Sequence, residues 1–201
     1  MIKHIPMLFR LTLLLIIQAG ILGLIIWDRV QILETGQTVR LSVEPVDPRD
    51  IFRGYYVNLN YEISRIRPTR LGSTEDFKRH DVVYVSLAEG ADGLWHPAGI
   101  SSNPRQIEAG LVTIAGRIIY VGPTSTTSTD DGETGCPSPC KVVVVRYGIE
   151  QYFAQQDAAK EIETAQRDGK VEILAAVSAS GTAAIKGIFV DGTLRYEEPL
   201  L

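Results

Sequence analysis

Hydrophobic residues are spread unevenly along the chain, and their densest run lies near the N-terminus. Residues 11–27 (from Leu11 to Trp27) contain no charged side chain. As a helix rising about 1.5 Å per residue, the run would be roughly 26 Å long, close to the hydrocarbon thickness of a bilayer. It is apolar all round, whereas a core helix would show a polar face. The pattern therefore predicts a transmembrane helix that contacts the lipid bilayer, with Trp27 at the outer interface.

The residues that flank this run predict its orientation. Lys3 and Arg10 precede it, which favours a cytoplasmic N-terminus. No small-x-small cleavage site follows the run, so an uncleaved signal anchor is favoured over a cleaved signal peptide. We therefore expect a single-pass protein of the cell (inner) membrane. Residues 1–30 form the cytoplasmic stub and anchor, and residues 31–201 form an extracytoplasmic (periplasmic) domain.

Beyond residue 39, short apolar runs alternate with Gly, Pro, Asp and Ser clusters, which is typical of strands joined by turns. Residues 57–64 alternate strictly between apolar and polar side chains and predict a half-buried strand. The dipeptide Asp191-Gly192 between two apolar runs predicts a tight hairpin. Further strands are predicted over residues 82–88, 111–121, 142–147, 171–179, 182–190 and 193–196.

One segment of the second half has helical periodicity instead. Residues 153–168 place small and apolar side chains on one face, and Gly169 is suited to the C-terminal cap. The fold class is thus a β-rich α+β domain of mostly antiparallel strands with one amphipathic helix. Residues 123–140 are rich in Ser, Thr, Pro and Asp and predict a mobile surface loop.

Composition and charge argue against two classes of binding partner. The chain has 201 residues, a net charge of −4 and a pI near 5.4, which argues against nucleic acid as a partner. Residues 1–30 carry Lys3, Arg10 and Arg29 against Asp28, a balance of +2, so residues 31–201 carry −6. An acidic domain of this kind is not expected to adhere electrostatically to an anionic lipid surface.

The densest group of charged side chains lies between residues 44 and 56. Asp47, Arg49, Asp50 and Arg53 crowd a segment that also holds two prolines. Such a loop can present its groups to an anion or to a partner's backbone, or it can be a structural corner closed by ion pairs. Convergence of this loop with residues 146–150 on one pocket would favour the binding role.

The sequence GYYVNLNY at residues 54–61, preceded by VDPRDIFR, resembles the family named for its GDYXXLXY motif. A second stretch, RYGIEQYF at residues 146–153, is also similar to that family. The resemblance implies a bacterial protein, usually anchored by one N-terminal helix, without an established activity. Tyr55 stands where the family motif has aspartate. The two stretches add Tyr55, Tyr56, Tyr61, Arg146, Tyr147 and Glu150 to the candidate ligand- or partner-binding residues.

No catalytic residue, cofactor or metal site is predicted. A serine/lysine hydrolase would need Ser42 beside a buried Lys141, although neither lies in a matching motif. The histidines His4, His80 and His96 have no metal-ligand spacing. Cys136 and Cys140 are candidates for a short disulfide in an oxidising compartment.

These observations predict a membrane-anchored extracytoplasmic binding or assembly module that acts beside another membrane protein. An extracytoplasmic hydrolase of the serine/lysine type and a purely structural envelope protein are the two alternatives.

Overall fold

A long N-terminal helix precedes a domain of antiparallel strands in the computed structural model of the chain. The structure describes residues 7–45, 56–104, 110–123 and 141–198. Two helices and twelve strands lie in these ranges, and every strand pair is antiparallel. The β-rich α+β fold class predicted from the sequence is confirmed.

The first helix, α1, spans Met7–Thr35. It is long and apolar enough to cross a membrane, with a mean hydropathy of 2.2 in its most apolar part, none of which is buried against the domain. The predicted span of residues 11–27 lies inside α1, which continues through Asp28 and Arg29 because one charged pair does not end a helix. The helix stops before Gly36, whose N–H donates to Ile32 O at 2.9 Å.

The strands form two five-stranded sheets and one two-stranded ribbon. The first sheet has the order β12-β11-β10-β1-β3, the second has the order β4-β8-β7-β5-β6, and β2 pairs with β9. Strands of the first half are β1 (Gln37–Glu44), β2 (Tyr56–Asn58), β3 (Asn60–Tyr61), β4 (Arg65–Ile66), β5 (Val82–Glu89) and β6 (Trp95–Ser101). Those of the second half are β7 (Leu111–Pro123), β8 (Lys141–Arg146), β9 (Gln151–Phe153), β10 (Val171–Val177), β11 (Ala183–Val190) and β12 (Thr193–Glu197).

Most sequence-predicted strands and the hairpin turn are confirmed within one or two residues. Asp191 and Gly192 have φ values of 52° and 73°, and Val190 pairs with Thr193, as a two-residue hairpin requires. The second helix, α2, spans Gln156–Arg167 and begins three residues later than predicted, since Phe153 belongs to β9. Gly169 (φ 67°) follows α2 in the left-handed conformation expected of a C-terminal cap.

The predicted strand over residues 57–64 is corrected in one respect. Its alternation is real, because Val57, Leu59, Tyr61 and Ile63 are all buried. It is nevertheless broken into β2, β3 and a short 3-10 helix at Glu62–Ser64. The segment changes pairing partner, from β9 to β1, and each short strand is hydrogen-bonded over two or three residues only. A pattern of period two predicts burial but not the change of partner.

One hydrophobic core is shared by both five-stranded sheets, α2 and the broken segment. Leu41 and Ile173 of the first sheet, Val85 and Ile114 of the second and Ile162 of α2 all belong to it. A smaller cluster lies on the other face of the first sheet, where α1 ends. This second cluster attaches the long helix to the domain.

Candidate functional site

Two tyrosines, one from each motif stretch, are buried and hydrogen-bonded to the backbone of the segment that packs opposite them. The hydroxyl of Tyr61 donates to Ile149 O at 2.5 Å, and that of Tyr147 donates to Ile63 O at 2.6 Å. Burial, with the charge of Glu150 as a smaller contribution, raises the pKa of both hydroxyls well above the ordinary tyrosine value. Both groups are therefore neutral donors that join residues 59–63 to the connection after β8.

The turn after β8 is held by Glu150, another of the candidate binding residues predicted from the sequence. Its carboxylate accepts hydrogen bonds from the N–H groups of Tyr147 and of Gly148, the latter at 3.0 Å. Gly148 has φ 84°, a conformation that suits glycine. The backbone carbonyl of Glu150 accepts from Leu59 N–H at 2.8 Å, at the point where the first motif segment changes partner. Glu150 thus fixes the turn that follows Arg146.

Arg146 lines an open cleft of about 770 Å³ on the second sheet. The cleft brings together residues from β7, from the end of β8 and from the loop before β5. Its lining is Arg79, His80, Val82, Ala115, Gly116, Arg117, Ile119, Arg146, Tyr147 and Gly148. Val82, Arg117 and Arg146 are neighbours across three adjacent strands, so the two arginines lie side by side on one face.

The loop before β5 is fixed beside this cleft by hydrogen bonds to β7. His80 N–H donates to Ile118 O at 2.8 Å, and Ile118 N–H donates to Asp81 O at 2.9 Å. A guanidinium N–H of Arg117 donates to His80 O at 3.1 Å. These bonds hold His80 at φ 77°, an uncommon conformation for a residue other than glycine. The guanidinium of Arg117 and the backbone next to Arg79 are therefore positioned by the fold.

Among the residues that the structure describes, Arg79, Arg117 and Arg146 form no ion pair with a carboxylate. The nearby acids accept backbone hydrogen bonds, Glu150 as above and Asp81 from Lys78 N–H at 2.9 Å. A guanidinium presents five N–H donors in a planar fork that matches carboxylate and phosphate oxygens. The arrangement can therefore bind an anion.

Several predicted residues lie outside the described ranges, so the predictions about them stay untested. They are Asp47, Arg49, Asp50, Arg53, Tyr55, Cys136 and Cys140. Tyr56 is placed by its backbone as the first residue of β2, opposite Phe153. The predicted convergence of the charged loop with residues 146–150 on one pocket stays a prediction, because residues 46–55 lie outside the described ranges.

The geometry of Ser42 and Lys141 gives no support to the hydrolase alternative. Ser42 lies on β1 of the first sheet, opposite Glu172, whereas Lys141 begins β8 of the second sheet. Lys141 is more than half exposed and its Nζ lies 2.9 Å from Asp76 Oδ1. A lysine that activates a serine nucleophile has to be buried beside it, whereas Lys141 is exposed and paired with Asp76. Within the described ranges, no group of His, Cys, Asp and Glu could hold a metal ion.

The junction between α1 and the domain is built from small apolar contacts. Ile32 and Leu33 of α1 are buried against Ala176 of β10 and Ala184 of β11. The Arg29 guanidinium donates to Ala183 O at 3.5 Å. The hairpin between β10 and β11 is therefore the part of the domain that meets the end of the helix.

Comparison with known proteins identifies the family. A family model described as "GDYXXLXY protein" matches residues 18–188, from within α1 to the end part of β11. The chain belongs to the GDYXXLXY family. No curated protein and no solved structure matches it significantly. The resemblance inferred from the two motif stretches is confirmed, and in this GDYXXLXY protein the Tyr61 hydroxyl of the first stretch bonds to Ile149 O of the second.

Sequence reasoning identified Arg146 but missed Arg79, His80 and Arg117. Arg117 could have been found from the sequence, since it is the single charged residue in the apolar strand β7. No local pattern brings the loop before β5 to its side, because that contact depends on the pairing of distant strands.

Proposed function

We propose that this GDYXXLXY protein is a single-pass membrane protein whose domain lies on the extracytoplasmic side and binds or assembles with another membrane protein. The observation that carries the proposal is the junction at Ile32 and Leu33, where an apolar helix of membrane-spanning length is packed onto the first sheet. A domain fixed to its helix in this way stays at the membrane surface. Lys3 and Arg10 support the orientation.

The side chains of the described part of the domain favour binding of a partner over catalysis. The described candidates Tyr61, Tyr147 and Glu150 are occupied by internal hydrogen bonds, and Lys141 is solvated. The basic cleft, in contrast, has cationic groups without ion pairs among the described residues. A binding role therefore fits the chain better than a hydrolase, and a purely structural envelope protein remains the alternative to be tested against.

Site-specific photocrosslinking in membranes tests this proposal. A photoreactive residue replaces Tyr55 in the motif, and a matched variant carries it at Asp157, an exposed position of α2. We expect the Tyr55 position alone to yield a discrete product that contains an integral membrane protein, whose tagged form recovers this chain in return. Identical products from both positions, or products with lipid alone at Tyr55, would contradict the proposed partner.

A further inference from the structure

The basic cleft lies next to the part of the domain that meets the helix. Ala115, which lines the cleft, donates its N–H to Gly181 O at 2.8 Å. Gly181 lies in the hairpin between β10 and β11, and Ala183 of the same hairpin accepts the hydrogen bond from Arg29. Arg29 follows the apolar run by two residues, which is about 3 Å along a helix. A short series of contacts thus links the end of the apolar run to the cleft wall.

We propose that this cleft binds the phosphate of an anionic phospholipid headgroup from the bilayer that anchors the chain. The inference rests on the membrane location proposed above and adds a ligand to it. The guanidinium groups of Arg79, Arg117 and Arg146 supply donors suited to phosphate oxygens. One donor of Arg117 is used by His80 O, which leaves its other N–H groups for the ligand.

The lining of the cleft favours a lipid over free phosphate. Val82, Ala115 and Ile119 contribute apolar surface beside the arginines, and Val82 is 43% exposed. A phospholipid headgroup carries a phosphate joined to apolar glycerol and acyl carbons, so it matches both parts of this lining. Inorganic phosphate would leave the apolar part exposed to water.

The cleft also refines the expectation drawn from net charge. Residues 31–201 carry −6 overall, which disfavours general attraction to an anionic membrane. Attraction at one positioned cleft does not require a basic domain, because the potential of distant charges falls off within about 8 Å at physiological ionic strength. The acidic side chains elsewhere keep the interaction confined to this site.

Native mass spectrometry of the detergent-solubilised full chain tests the inference. Phosphatidylglycerol and phosphatidylcholine with identical acyl chains are added in competition, and the ratio of bound lipids is measured. We expect the wild type to prefer phosphatidylglycerol. The double variant Arg79→Gln/Arg146→Gln should lose this preference by roughly tenfold, since two basic groups attract the net negative headgroup of phosphatidylglycerol more than the zwitterionic headgroup of phosphatidylcholine. Neither side chain forms a hydrogen bond or ion pair among the described residues, so folding should be preserved.

A matched control removes the same charge elsewhere. Arg70→Gln/Lys160→Gln changes two exposed positions outside the cleft and should keep the wild-type lipid ratio. Equal ratios for both double variants would overturn the inference. So would binding of inorganic phosphate, or of an acidic peptide, to the wild type without any preference for phosphatidylglycerol.

The same preparations separate this inference from the proposed function. Wild-type chain that remains in alkaline-washed membranes but shows no lipid preference overturns the lipid site alone. Wild-type chain that is extracted by the alkaline wash overturns the membrane location and, with it, the lipid site.

Discussion

Two buried hydroxyl groups show how the family motif acts at the scale of single residues. Tyr61 and Tyr147 are 0% and 6% exposed; the Tyr61 hydroxyl donates to Ile149 O in the second motif stretch, and the Tyr147 hydroxyl donates to Ile63 O, two residues after the first. A buried carbonyl left without a donor costs about 1–3 kcal/mol, which is more than a typical hydrogen bond contributes. The two tyrosines therefore hold residues 61–63 against the turn after β8.

Tyr147→Phe tests this role directly. The substitution keeps the ring and leaves Ile63 O without its donor, so the free energy of unfolding should fall by about 1–3 kcal/mol. Urea unfolding of the full chain in detergent, followed by tryptophan fluorescence, measures it. Tyr120→Phe is the matched control, because Tyr120 is 51% exposed, and it should change stability by less than about 0.5 kcal/mol. Equal effects of the two substitutions would contradict a stabilising role of the Tyr147 hydrogen bond.

At the scale of elements, the end of α1 depends on a close approach that only glycine permits. A Cβ added at Gly36 would overlap Ile32 O and lie 3.1 Å from Val177 N and Val177 O. The backbone of the helix end and that of β10 therefore touch at this position. Ile32 and Leu33 reach Ala176 and Ala184 because no side chain separates them.

We expect Gly36→Ala to push the helix end away from the first sheet. The contact of Arg29 with Ala183 O should be lost, and trypsin should cleave after Arg29 several times faster than in the wild type. Gly23→Ala is the control, since an added Cβ there meets nothing within 4 Å. A cleavage rate unchanged by Gly36→Ala would mean that the close approach does not hold the junction.

A second element-scale contact predicts a dependence on pH. His96 of β6 lies 3.2 Å from Glu62 Oε1 through Nδ1 and 3.2 Å from Asp92 Oδ2 through Nε2. Burial opposes protonation, but the hydrogen bonds and charges of Glu62 and Asp92 prevail and raise the pKa of His96 above 6.5. The doubly protonated ring donates to both carboxylates and joins the β5–β6 hairpin to the 3-10 helix.

Because the pKa is higher in the folded state, this contribution to stability is complete below pH 6.5. It is lost as pH rises through the folded-state pKa. His96→Gln should therefore destabilise the chain more at pH 5.5 than at pH 8.5 in parallel unfolding experiments. In a Glu62→Gln/Asp92→Asn background the same substitution should have little dependence on pH. An equal loss of stability at pH 5.5 and pH 8.5 in the wild-type background would contradict this role of His96.

The sequence predicted those elements whose signals are local. Alternation at Val57, Leu59 and Tyr61 predicted burial, and the dipeptide Asp191-Gly192 predicted the hairpin whose left-handed turn the structure shows. The change of pairing partner at Leu59 was missed because it depends on Glu150, far along the chain. Similarly, the cleft depends on the register of three strands, which the order of residues in any one strand does not determine.

At the scale of the whole molecule, the uneven distribution of hydrophobic residues and charge has a structural counterpart. The apolar helix ends on the first sheet, and the basic cleft of the second sheet lies beside the same hairpin. An overall acidic chain thereby presents cationic groups close to its helix. This arrangement is consistent with a domain that works at a membrane surface.

A protease-protection experiment tests the central claim, that an uncleaved helix anchors an extracytoplasmic domain. The full chain carries one epitope tag at each end in a bacterial host, and protease is added to intact spheroplasts. We predict that the C-terminal tag is digested without lysis, whereas the N-terminal tag survives on a short fragment in alkaline-washed membranes. Digestion of the C-terminal tag only after lysis, or loss of the N-terminal tag before protease is added, would contradict the account.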